Sequence, residues 1–162
     1  MARFTNPFVS SELVQGVSQA RGAISRQVVG TVTIDSANTY VPMSLTPTAD
    51  DSSFNMSLPS THNVTGLKNT GSETRLFVVI ATYDGKGGNN HAIGLKLALN
   101  GVPIDQTECT SFGGSTGQFA KAMTQWMLYL DPGDEVSMYA ANKDTSDNLS
   151  IARLKMIAYS IA

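Results

Sequence analysis

At 162 residues and 17.2 kDa the chain has room for one domain with a substantial hydrophobic core and hardly for two. Its net charge of -2, from 11 basic and 13 acidic residues, lacks the cationic excess needed to neutralise a phosphate backbone, so no nucleic-acid partner is expected. Charged residues make up only 15%, while Ser, Thr and Asn are abundant, so much of the surface is neutral and polar. A single cysteine, Cys109, leaves no internal disulfide to staple the fold.

The opening MARFTNPFVSSELVQG has no signal-peptide core, and no window approaches the roughly 18 to 20 consecutive apolar residues of a membrane helix. A soluble protein without membrane contact, made in the host cytoplasm, is expected. Residues 1–25 differ in period from the rest. Leu13, Val14, Val17, Ala20 and Ile24 recur at helical spacing behind a possible N-cap at Ser11. Gly16 and Gly22 weaken such a helix, and a piece this short is marginal alone. Residues 1–25 therefore read as an N-terminal arm, partly helical or extended, and residues 26–162 as the domain.

From Arg26 the period becomes two, with Val28, Gly30, Val32 and Ile34 on one face. A second strand over residues 39–45 contains Pro42, which lacks the ladder N–H and so marks an edge or a bulge. A turn at residues 50–53 and short strands at 54–58 and 62–67 lead to ETRLFVVIATY, residues 73–83. Here Leu76, Val78 and Ile80 point one way and Phe77, Val79 and Ala81 the other, so this strand needs cover on both faces. A lone two-layer sandwich supplies only one.

After the loop DGKGGNN, residues 84–90, clean alternation places Ile93, Leu95, Leu97 and Leu99 on one face. Asn100-Gly101 supplies the two residues tolerant of positive φ that a type I′ hairpin needs, and the chain returns through Val102 and Ile104. A second glycine-rich loop, 111–117, precedes a strand in which Trp126, Leu128 and Leu130 share one face and Met127 and Tyr129 the other. The turn DPGD, 131–134, leads to a strand at 135–142, and the tail 149–161 forms the last one. Eight to ten short strands without an interior helix indicate an all-β fold, an antiparallel sandwich or jelly roll.

The buried strand ending in Tyr83, the hairpin LKLALNG, the phrase LYLDPGDEV and the final apolar strand stand in a fixed order. Over roughly residues 73–161 they resemble the tumour-necrosis-factor/complement-globular-head superfamily. The resemblance implies a jelly roll that assembles as a compact homotrimer. The chain lacks that superfamily's collagen-like stalk and the secretion signal of its animal members. A leaderless, Ser/Thr/Asn/Gly-rich jelly roll behind a short arm is instead similar to bacteriophage virion proteins that decorate capsids or tip fibres.

No motif points to catalysis. His62 and His91 have no Cys or carboxylate at zinc-motif spacing, and Cys109 lacks a CxxC partner or an adjacent activating group. DGKGGNN misses the phosphate-loop spacing. Asp50, Asp51, Asp84, Asp144 and Asp147 do not match a calcium-loop pattern and read as turn aspartates. There is no GxSxG elbow. No enzyme activity, metal or cofactor is expected.

The informative surplus is apolar. Met127, Tyr129, Tyr139, Ile157 and Tyr159 lie on faces opposite the core residues Leu128, Met138 and Met156, and are the expected trimer interface. Phe4, Phe8, Leu13 and Val17 are the expected contacts of the arm with a capsid. The expected function is a capsid decoration (cement) protein on the virion surface, with partners being its own copies and a major capsid protein or another virion protein. The alternative is a receptor- or glycan-binding head of a fibre or spike, using loops 84–90 and 111–117.

Overall fold

The apolar run at 75–86 needs cover on two sides, and the fold gives it a strand on each edge and a second sheet across one face. A computed structural model describes residues 20–26, 30–46, 48–49, 55–59, 65–115 and 118–161. Its strands, in chain order, are β1 (Arg21–Arg26), β2 (Gly30–Val32), β3 (Val41–Pro42), β4 (Thr48–Ala49), β5 (Met56–Ser57), β6 (Gly66–Asn69) and β7 (Arg75–Lys86). There follow β8 (Ala92–Leu99), β9 (Val102–Pro103), β10 (Cys109–Phe112), β11 (Ala120–Leu130), β12 (Glu135–Asn142) and β13 (Leu149–Ser160). One 3-10 turn, Asp105–Thr107, is the only helical element among the described residues.

The strands form two antiparallel sheets. In the first the order is β11-β7-β13-β1-β4, with β2 pairing on β13; in the second it is β10-β8-β12-β6-β5, with β3 on β12 and β9 on β8. From β6 onward the chain passes repeatedly from one sheet to the other, which is jelly-roll connectivity. The core lies between the layers. Phe77, Val79, Ala81 and Tyr83 of β7 and Met156 and Ala158 of β13 meet Leu95 and Leu97 of β8 and Val136 and Met138 of β12, all buried.

The turns follow their residue types. Asn100 (φ 49°) and Gly101 (φ 82°) both occupy the left-handed region, as a type I′ hairpin requires, and Gly133 of DPGD has φ 94°. Pro42 lies on the two-residue β3, which pairs only with β12, in keeping with its missing donor.

Three expectations are corrected. The boundary at residues 25/26 moves toward the N-terminus, because Arg21–Arg26 pairs in full with β13 and Ala20 and Ile24 are core residues rather than one stripe of a helical arm. Loop 84–90 begins later, since Asp84, Gly85 and Lys86 extend β7 against β11 and β13. Loop 111–117 likewise loses Ser111 and Phe112 to β10. Phe4, Phe8, Leu13, Val17, the turn at 50–53 and His62 lie outside the described residues.

Candidate subunit interface

The outer face of the first sheet is built in rows by strand register. Tyr129 of β11 stands beside Leu76 of β7; Met127 beside Val78, then Tyr159 and Arg21; Gln125 beside Ile80, then Ile157 and Ala23. Alternation on each strand sends the neighbours of these residues, Trp126 on the edge strand apart, into the core and leaves this set outside. Met127 is 61% exposed, Tyr129 65% and Tyr159 39%, with Val78, Ile80 and Ile157 half-buried between them. Met123 and Ile161 extend the apolar surface at either end of the strands, and Trp126 is exposed on the edge strand. Val78, Ile80, Gln125, Trp126, Met127 and Tyr159 line a shallow hollow in it.

The outer face of the second sheet is closed by the chain itself. Ala92, Gly94, Lys96 and Ala98 point outward from β8, yet all are buried. Tyr40 lies across Gly94, so closely that a Cβ there would meet its hydroxyl. Lys96 Nζ sits 4.3 Å from the Tyr40 ring centre, 2.8 Å from Asp105 and 3.1 Å from Glu108, and Lys143 Nζ lies 2.7 Å from Glu108. The Lys143 hydrogen bond, with that of Lys96, holds the Glu108 carboxyl down at about 2. Burial, and then the neighbouring Glu108 carboxylate, push the Tyr40 phenol well above its usual range. One sheet thus covers its outer face with an ion-paired cluster, and the other leaves an apolar one open.

Of the expected interface residues, Met127, Tyr129, Ile157 and Tyr159 come together on the open face. Tyr139 does not join them. It lies on β12 in the second sheet, where its hydroxyl donates to the Gly101 carbonyl oxygen at 3.0 Å. The sequence shows that Tyr139 opposes Met138, but alternation tells face from face and not sheet from sheet. Leu76, Val78 and Ile80, the second apolar set of the long strand, complete the patch.

The remaining candidates have structural partners. His91 is a half-buried rim residue with Nδ1 2.7 Å from the Gly87 carbonyl oxygen and 3.9 Å from Asp147. Asp144 accepts from the Ala92 amide at 2.6 Å, and Asp84 pairs with Arg153. Cys109 is partly buried on β10. Among the described residues no three His, Cys, Asp or Glu side chains cluster as a metal site would require, and no helix is long and apolar enough to cross a membrane.

No family model matches the sequence, and no curated protein matches it. Solved structures do match. Eiger TNF from S. frugiperda aligns at a TM-score of 0.56 and 12% identity, covering 89% of this chain and 93% of that one. Murine APRIL aligns at 0.52 and 10%, covering 87% and 99%. The vertex protein P5 of phage PRD1 aligns at 0.50 and 11%, covering 88% and 97%. At such identities the likeness is one of fold. The chain has the tumour-necrosis-factor-like jelly-roll fold, which the PRD1 vertex protein also takes.

Proposed function

We propose that this protein is a structural component of a phage virion, and that it decorates the capsid exterior as a homotrimer. The observation that carries this reading is the open apolar face around Met127, Val78 and Tyr159. A monomer that leaves large apolar side chains grouped on one face is a poor solution in water, and burial against further copies of the same face removes the cost. The fold shared with the PRD1 vertex protein supports the virion setting. Residues before Ala20, with Phe4, Phe8, Leu13 and Val17, are the proposed contact with a major capsid protein or another virion protein. The role asks for rigidity and area, and no step in it calls for catalysis.

Phe112, 78% exposed at the end of β10, favours a second reading as a fibre or spike head that binds a receptor or glycan. The two are separated by deleting residues 1–19 and measuring occupancy on purified virions. Decoration predicts loss of the protein from capsids with the jelly roll still folded. Unchanged occupancy contradicts attachment through the arm. A glycan array gives no signal above background if decoration is the whole role.

A further inference from the structure

The outer face of the first sheet changes chemistry along its length. Beyond the Gln125–Ile80–Ile157 row come Met123, Thr82, Lys155 and Ser25, and then Lys121, Asp84 and Arg153. In a chain of net charge -2, the strands of this sheet carry Arg21, Arg26, Arg75, Lys86, Lys121, Arg153 and Lys155 against Asp84 as their one acidic residue. The acidic majority lies elsewhere.

A local irregularity builds this end of the face. On β13 Ile151 pairs with Gly85 and Arg153 with Asp84, so Ala152 is an extra, bulged residue. In a strand of unbroken alternation Arg153, two positions after the buried Ile151, would point into the core. The bulge turns Arg153 outward and returns Leu154 to the core, which places Arg153 and Lys155 on the same face as Asp84 and Lys121.

Asp84 is nearly buried between two cations, with Arg153 Nε at 3.0 Å and Lys121 Nζ at 3.8 Å. It orients both and neutralises one charge. Arg153 engages Asp84 through Nε, leaving the ends of its guanidinium outside that pair, and Lys155 has no ion pair or hydrogen bond among the described residues. These groups, with the Ser25 and Thr82 side chains, line a cleft of about 190 Å³.

We propose that this cleft is an oxyanion-binding site that takes a phosphate-class ligand. Three cations against one carboxylate leave a local positive excess. Guanidinium donors suit two oxygens of one phosphate, and Lys155 supplies a second, mobile donor group. Asp84 acts as a positioning residue: it fixes the cations before the anion arrives. All of its lining residues come from one chain.

The test is calorimetric titration of the full-length protein with inorganic phosphate at constant ionic strength, with sodium chloride as the screening control. The variants are Arg153→Gln/Lys155→Gln in the cleft and Lys68→Gln on the other sheet. The expected result is saturable binding, at least about tenfold weaker in the cleft variant and unchanged in Lys68→Gln. Phosphate-induced NMR shifts in the wild-type protein, expected at Ser25, Lys121, Arg153 and Lys155, give a readout independent of any variant's folding. Absence of saturation, an equal response to chloride, or shifts confined to other regions would each overturn the proposal.

Discussion

Tyr83 on β7 donates its hydroxyl to the carbonyl oxygen of Gly94 on β8 at 2.9 Å, joining the two sheets through the core. Burial pushes the phenol far above its usual pKa, so the O–H remains a donor at neutral pH. Tyr83→Phe keeps the ring's packing and strands the carbonyl. The expected cost is about 1–3 kcal/mol in urea unfolding. A change within a few tenths would show that the carbonyl finds another partner.

Asn142, fully buried at the end of β12, organises the loops at that end of the sandwich. Its amide nitrogen donates to the Gly87 and Asp147 carbonyl oxygens, and its oxygen accepts from the Asp144 amide at 3.2 Å. Asn142→Ala leaves these groups without their partner and is expected to destabilise by about 2–3 kcal/mol. Amide exchange should rise around Gly87 and Asp144 before it rises in β7. Uniform protection across both regions contradicts this role.

The cluster on the second sheet sets an acid limit. Glu108 titrates at about 2 in the folded protein, below its ordinary 4.5. A depressed carboxyl stabilises the fold fully above the ordinary value and loses that contribution as pH falls from 4.5 toward 2. Glu108 is partly exposed, so solvent screens the effect and its size is modest. Glu108→Gln should lower Tm at neutral pH, and the gap from wild type should close between pH 4.5 and 2. A gap that persists at the acid end means that the substitution acts through packing.

Much of this architecture is legible in the residues. The hairpin at Asn100-Gly101, the DPGD turn and β12 over 135–142 follow from turn chemistry and a period of two, because local conformation decides them. β1 is not legible: Ala20 and Ile24 fit a helical stripe, and only pairing with β13, six residues in register, makes Arg21–Arg26 a strand. The open face was visible in the two-sided apolar pattern of Leu76 to Ala81, whereas the placement of Tyr139 depends on which sheet β12 joins. The cationic end has a faint signature in the three-residue step from Ile151 to Leu154 within a period-two strand, which marks the bulge.

The pairing of β1 with β13 limits where the chain can be shortened. A chain starting at Ala20 retains β1 and should unfold within about 0.5 kcal/mol of the full-length protein. A chain starting at Arg26 loses the buried Ile24 and five of the six paired residues of β1, and should be destabilised by several kcal/mol or fail to fold. Equal stability of the two chains contradicts the placement of β1 in the sheet.

A subunit interface on the open face of the first sheet fixes the mass of the protein in solution. Size-exclusion chromatography with light scattering on the full-length protein, on the chain starting at Ala20 and on Met127→Glu tests it most directly. Met127 is mostly exposed in the single chain, so its substitution should leave the monomer fold intact by circular dichroism while placing a charge in the interface. The expected masses are near three times 17.2 kDa for the full-length protein, three times its own smaller chain mass for the protein starting at Ala20, and that of a folded monomer for the third. A monodisperse wild-type monomer, or a trimer that Met127→Glu leaves intact, would contradict that interface.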